Sequence, residues 1–231
     1  MEEESDPLGD IFGWVGTAIT IYLYFAPCVP FIKVLKGEIK CSDSPGLLLI
    51  FSLINSLLWI VYGLLQDSIQ LYISSGIGGG LTVIWLTIFL IFFADKKFGF
   101  ALLLIFGLIV LILGIAGVFF FFIQTSITGL VAMIFNILMY AGPGEKIYRV
   151  IKTGKYQLIP IFSTIGVYLS SLCWMMFGLY QDDINLIIPN VLGLVFSISQ
   201  IGVFLFYYFQ TKREEKAFKK DIHDVLKNEK V

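Results

Sequence analysis

One order of residues occurs twice in this chain. Trp59, Gly63, Asp67, Ser75 and Gly78 lie along one apolar stretch, and 115 residues later Trp174, Gly178, Asp182, Asn190 and Gly193 repeat both order and spacing. Pro45 and Pro160 keep that offset, as do Asn55 and Ser170, whereas Pro27 and Pro143 stand 116 apart. One residue therefore separates the copies near their first loops. A duplicated unit in a membrane points to a site where the copies meet, because only there do both contribute.

The bilayer follows from composition: 58% of residues are hydrophobic and 14% charged, against roughly a quarter charged in a soluble domain. A helical span needs about 20 apolar residues, and seven such runs are read at 12–32, 46–65, 69–93, 99–122, 127–144, 159–179 and 184–208. No strand-like alternation of a membrane barrel is present, which leaves helices as the only spanning element.

All 16 Lys and Arg residues fall at one end of this arrangement, from Lys33 after the first span to the tail after the seventh. The positive-inside rule then puts the acidic N-terminus outside and the C-terminus in the cytosol. The first six residues, Met-Glu-Glu-Glu-Ser-Asp, lack the positive region of a signal peptide, so the first run is expected to be retained. Cys28, Cys41 and Cys173 imply no disulfide framework. The net charge of -1 hides this sidedness of the cations and identifies no partner; no nucleic-acid partner is expected.

Three helices reverse the chain across the membrane, so two parallel copies need one extra helix between them. The run from Phe100 to Phe122 has no polar side chain and no counterpart in the repeat. The expectation is an all-α membrane protein of two parallel three-helix bundles joined by a linker helix. Its segments are an extracellular N-terminus (1–11), a first repeat (12–95), the linker (96–123), a second repeat (124–211) and a cytosolic tail (212–231). The tail sets Phe218, Ile222, Val225 and Leu226 at helical spacing among Lys and Glu, a pattern suited to anionic lipid or a partner. A solvated, partly disordered tail is the default reading.

No Asp, Glu, Lys, Arg or His lies inside the spans. Intramembrane ionisable groups mark proton relays and ion paths, so their absence favours a neutral cargo moving down its gradient. No cluster has metal-ligand spacing, no Ser is paired with a base, and no cofactor or enzymatic reaction is called for. The polar groups that remain are neutral, and Asn55, Asn136 and Asn190 cost most to bury. The repeat pairs Asn190 with Ser75, Asn55 with Ser170, and Asn136 with Thr20, so these polar positions can converge on a shared axis; helix-to-helix bonding is the plainer alternative. Trp59 and Trp174 each lie four residues after Asn55 and Ser170, on the same helix face. Aromatic faces suit the C–H side of a sugar and amides suit its hydroxyls. Pro27, Pro45, Pro143 and Pro160 lie in or beside the inner ends of spans, where kinks can act as hinges. Glycines 76 and 78–80 fit close helix packing rather than phosphate binding.

At this level the chain resembles the SWEET sugar transporters, a family already known for parallel repeats. The resemblance runs from about Pro27 to Gln210. It rests on Met139-Tyr-Ala-Gly-Pro143 with Arg149-Val-Ile-Lys-Thr153, Trp174-Met-Met-Phe-Gly178, Ile188-Pro-Asn190-Val-Leu-Gly193, and Asn55-Ser-Leu-Leu-Trp59-Ile-Val-Tyr-Gly63. It implies a seven-helix facilitator of mono- or disaccharides that works by alternating access, with the proline tetrad as its hinge. It places the central polar pair on Ser75 and Asn190, the Trp pair on Trp59 and Trp174, and the pocket wall on Leu23, Asn55, Met139 and Ser170, with Thr20 and Asn136 one turn away. Ser75 departs from the family's usual Asn, and Pro45 lies about one turn earlier than the family pattern. Bulky residues at three of the four wall positions imply a monosaccharide. Tyr62 with Asp183 falls on the outer gate. The expectation is therefore a sugar uniporter of the plasma membrane, its partners being the sugar, the bilayer and, where it assembles, further copies of itself. A PQ-loop carrier of another metabolite and a seven-helix receptor are the alternatives, although no Pro-Gln dipeptide occurs.

Overall fold

In lipid a backbone must satisfy its own polar groups, and each apolar run described becomes helix. The computed structural model describes residues 7–37, 46–92, 107 and 125–228. Its elements are α1 (Pro7–Leu23), α2 (Cys28–Leu35), α3 (Gly46–Leu65), α4 (Ile69–Phe92), α5 (Thr125–Met139), α6 (Ala141–Thr153), a 3₁₀ turn (Tyr156–Leu158), α7 (Ile161–Tyr180) and α8 (Ile184–Asn228). Among the described residues five helical stretches are long and apolar enough to cross a membrane: Leu48–Leu65, Ile69–Ile91, Thr125–Thr153, Ile161–Tyr180 and Ile184–His223. The expected linker helix, apart from residue 107, and Pro45 and Cys41 lie outside the described residues.

Four expectations need correction. The first span is two helices rather than one kinked helix: Pro27 has no N–H, and the Ala26 N–H instead bonds the Leu23 carbonyl at 2.9 Å in a tightened turn. The fifth span breaks likewise at Tyr140, between α5 and α6. The tail is helical to Asn228, continuous with α8. Pairs one turn apart support it, among them Lys212 with Glu215 at 2.8 Å and Gln210 with Glu214 at 3.2 Å. The first helix also begins at Pro7, inside the segment expected to be an extracellular end.

Packing repeats as the sequence does. In the first unit α4 packs on α3 and α1, and in the second α8 packs on α7 and α5. Between units α1 meets α7 and α3 meets α5, which are equivalent pairs under the repeat. The α3–α4 and α7–α8 turns match bond for bond. The Ser68 N–H bonds the Gly63 carbonyl at 2.9 Å, and the Asp183 N–H bonds that of Gly178 at 2.8 Å. Asp67 and Asp182 take left-handed φ values of 52° and 51°, the only non-glycine residues described that do so, a conformation Asp tolerates better than most. Gly63 and Gly178 let the next helix cross: an added Cβ would stand 2.9 Å from Leu71 Cβ and from Leu186 Cβ, respectively.

Candidate functional site

Both units line a cavity of about 180 Å³, smaller than the roughly 300–1,000 Å³ of drug-sized sites. Of the predicted binding residues, Thr20, Leu23, Asn55, Trp59 and Ser75 line it from the first unit. Asn136, Ser170, Trp174 and Asn190 line it from the second. Met139 does not. Leu23, its counterpart, lies over Gly166, where an added Cβ would come within 2.7 Å of Leu23 Cδ2. The position matching Gly166 is Phe51, so the repeat offers Met139 no such vacancy.

The matched polar groups are bonded unequally. The Trp174 indole N–H donates to the Thr20 hydroxyl at 2.9 Å, and Thr20 shares a 2.8 Å bond with Ser170. This triad is satisfied within the protein. Its counterparts are Trp59, Asn136 and Asn55, and there Asn55 Oδ1 is buried with no hydrogen-bond partner. Asn190 commits its Nδ2 to the Leu186 carbonyl at 2.7 Å, one turn back in α8. Both Trp rings are braced edge-on, Trp59 by Tyr62 at 5.6 Å and Trp174 by Phe177 at 5.7 Å between ring centres.

Tyr62 and Asp183 meet at the end of the bundle that carries the N-terminus. The Tyr62 hydroxyl donates to Asp183 Oδ2 at 2.8 Å and accepts from Gln66 Nε2 and Asn185 Nδ2, each at 3.2 Å. Asp183 Oδ1 accepts the Asn185 backbone N–H at 2.9 Å, which caps α8 and sets the carboxylate at a helix N-terminus, where negative charge is favoured. Gly129 makes room: a Cβ there would lie 2.6 Å from the Tyr62 ring.

Of the prolines, Pro27 sits in the α1–α2 break, Pro143 in the first turn of α6, and Pro160 immediately before α7. The Gln200 amide N–H donates to the Pro143 carbonyl at 3.2 Å, and Gln200 Oε1 accepts from Thr164 at 3.1 Å. The one Thr164 hydroxyl proton is shared with the Pro160 carbonyl, at 3.2 Å, so a run of side chains links Pro143 and Pro160 in the second unit.

Sequence reading missed Tyr24 and Tyr140, which both line the cavity. The signal was present, since they stand 116 residues apart like Pro27 and Pro143. Ser74, Ser171, Leu71 and Leu186 complete much of the wall.

The family of sugar efflux transporters for intercellular exchange, MtN3_slv, matches residues 10–97 and again residues 126–212. The chain belongs to this family. Among SWEET relatives it is 29% identical over 219 residues to the bidirectional sugar transporter SWEET7b of Oryza sativa subsp. indica, covering 91% of this chain and 82% of that one. To SWEET1 of Arabidopsis thaliana it is 30% identical over 215 residues, covering 90% and 86%. A solved eukaryotic SWEET transporter superimposes with a TM-score of 0.79 at 23% identity, covering 87% of this chain and 97% of that one, which establishes the SWEET fold.

Proposed function

We propose that this SWEET protein carries a small sugar, a monosaccharide, down its gradient, binding it in the cavity between the repeats and opening alternately to either side. The observation that carries the reading is Asn55 Oδ1. A buried acceptor without a donor costs about 1–3 kcal/mol, and a sugar hydroxyl can supply the missing donor. Trp59 and Trp174 offer aromatic faces across the same cavity. Ser75 and Asn190 add a hydroxyl and an amide; one Asn190 N–H is committed to the Leu186 carbonyl, which leaves its second N–H and its Oδ1 for a sugar. The small cavity and the bulk of Leu23 and Asn55 favour a hexose over a disaccharide. Relatives are named bidirectional sugar transporters, and the absence of ionisable residues within the spans fits uncoupled transport.

On the same reading the protein sits in the plasma membrane with its N-terminus outside and its cationic end in the cytosol. Tyr62–Asp183 is then the outer gate, and Pro27, Pro45, Pro143 and Pro160 are the hinges. The described cavity-lining residues come from both repeats of one chain, so a homo-oligomer would hold one pathway per subunit.

Uptake of radiolabelled glucose, galactose, fructose and sucrose by proteoliposomes tests this. Saturable hexose uptake lost in Asn55→Ala and Asn190→Ala is the expected result. Equal uptake by wild type and both variants would overturn the site, and no uptake of any sugar by folded protein would overturn the function.

A further inference from the structure

Tyr24 and Tyr140 occupy matched places with three properties in common. Each lines the cavity, each lies one turn beyond the Thr20 and Asn136 layer toward the cationic end, and each stands where its helix breaks, three residues before a hinge proline. Each ring also fills space left by a glycine of the repeat. A Cβ on Gly78 would overlap the Tyr24 ring, and one on Gly193 would meet the Tyr140 hydroxyl.

Both hydroxyls are tethered, to different groups. Ser56 gives its one proton to the Ser52 carbonyl at 2.9 Å, so in the 2.9 Å contact between Tyr24 and Ser56 the tyrosine is the donor. The Tyr140 hydroxyl donates to the Pro189 carbonyl at 2.8 Å, beside Asn190, and its ring stacks on Phe196 at 5.4 Å. The Tyr24 backbone has a second hold, because the Trp85 indole N–H donates to its carbonyl at 2.8 Å.

We propose that Tyr24 and Tyr140 form the inner barrier of the cavity, the counterpart of Tyr62 and Asp183 at the other end, and that their hydroxyl tethers hold the broken helices in the closed position. A solute leaving toward the cationic end passes between these rings. Freeing a hydroxyl frees the residue at which the inner half-helix pivots, so loss of a tether favours opening on that side alone. Beyond the backbone bonds along their own helices, Tyr140 is held by its hydroxyl and its stacking partner, whereas Tyr24 also keeps the Trp85 bond to its carbonyl. Tyr140→Phe is therefore the more disruptive of the two conservative changes. The assignment rests on the proposed transport cycle, but its test needs no sugar.

The experiment places one reporter, Ser75→Cys, in a chain otherwise free of cysteine (Cys28→Ser, Cys41→Ser, Cys173→Ala). A membrane-impermeant thiol reagent is applied separately to each face of oriented vesicles. Tyr140→Phe is expected to raise the labelling rate from the cationic face about fivefold, the population change that loss of one net hydrogen bond produces, and to leave the rate from the other face no higher. Tyr24→Phe gives a smaller rise with the same sidedness. Rates unchanged or lowered at the cationic face, or raised equally from both faces as in a generally loosened fold, would overturn the proposal. Because Phe keeps the ring, folding is preserved, and Tyr140→Ala in folded material adds loss of the ring itself, with a larger rise at the same face. Protection of the reporter by glucose is measured separately, so failure of the sugar assignment is distinguishable from failure of the barrier.

Discussion

Tyr62 on α3 donates a 2.8 Å hydrogen bond to the Asp183 carboxylate at the start of α8, between residues 121 positions apart in sequence and on different repeats. The matching place in the other half holds Phe177 and Ser68, which can form no phenol–carboxylate bond. The repeats are thus joined at this end by a phenol–carboxylate bond on one side that has no equivalent on the other. A bond to a charged group contributes about 1.5–3 kcal/mol, roughly a tenfold population change at its lower end. Tyr62→Phe is expected to raise labelling of a cavity cysteine from the N-terminal face about tenfold. Asp183→Asn, which can still cap α8 through its side-chain oxygen, is expected to give a smaller rise.

Ser68 provides a stability test. Its hydroxyl is buried without a partner, as is that of Thr128. Removing an unsatisfied buried polar atom relieves a desolvation cost. Ser68→Ala and Thr128→Val should therefore leave the melting temperature of the purified protein unchanged or raise it. A fall of several degrees would mean that these hydroxyls have partners.

The glycines separate into two classes. A Cβ on Gly63 would stand 2.8 Å from the Tyr72 nitrogen, a backbone atom that cannot move aside, whereas one on Gly76 or Gly80 would meet nothing within 4 Å. Gly63→Ala should destabilise by about 1–3 kcal/mol through overpacking. Gly76→Ala and Gly80→Ala should be neutral or stabilising by up to about 1 kcal/mol through helix propensity. Thermal melts of the three variants compare them directly.

Gln200 bonds both the Pro143 carbonyl and the Thr164 hydroxyl in the second unit. Gln200→Leu removes both bonds and leaves the Pro143 carbonyl without this donor, at a cost of about 1–3 kcal/mol. The expected result is a melting temperature lower by a few degrees, together with a transport rate altered more than the sugar's KM. A change confined to KM would place Gln200 in binding instead.

Much of this architecture could be read directly from the residues. The 115-residue offset paired Asp67 with Asp182 and Gly63 with Gly178, and the structure sets these residues in the two turns and under the two crossing helices, local demands that each copy must meet. It also marked most of the cavity wall, since equivalent positions in parallel units approach one axis. Met139, placed in the wall by resemblance, does not line the cavity although its equivalent Leu23 does. Its neighbours differ from those of Leu23, and a repeat in sequence does not make side-chain volumes repeat.

The sequence alone determined the class of protein: its hydrophobicity requires a bilayer, lipid requires helices, and one order of residues stated twice requires two like units. Which polar groups are satisfied was decided only by tertiary structure. Thr20, Ser170 and Trp174 bond one another across the α1–α7 interface, whereas Asn55 keeps an unpartnered oxygen in the matching place. Hydrogen bonding depends on distances of a few tenths of an ångström between helices far apart in the chain, and no spacing along the chain encodes them.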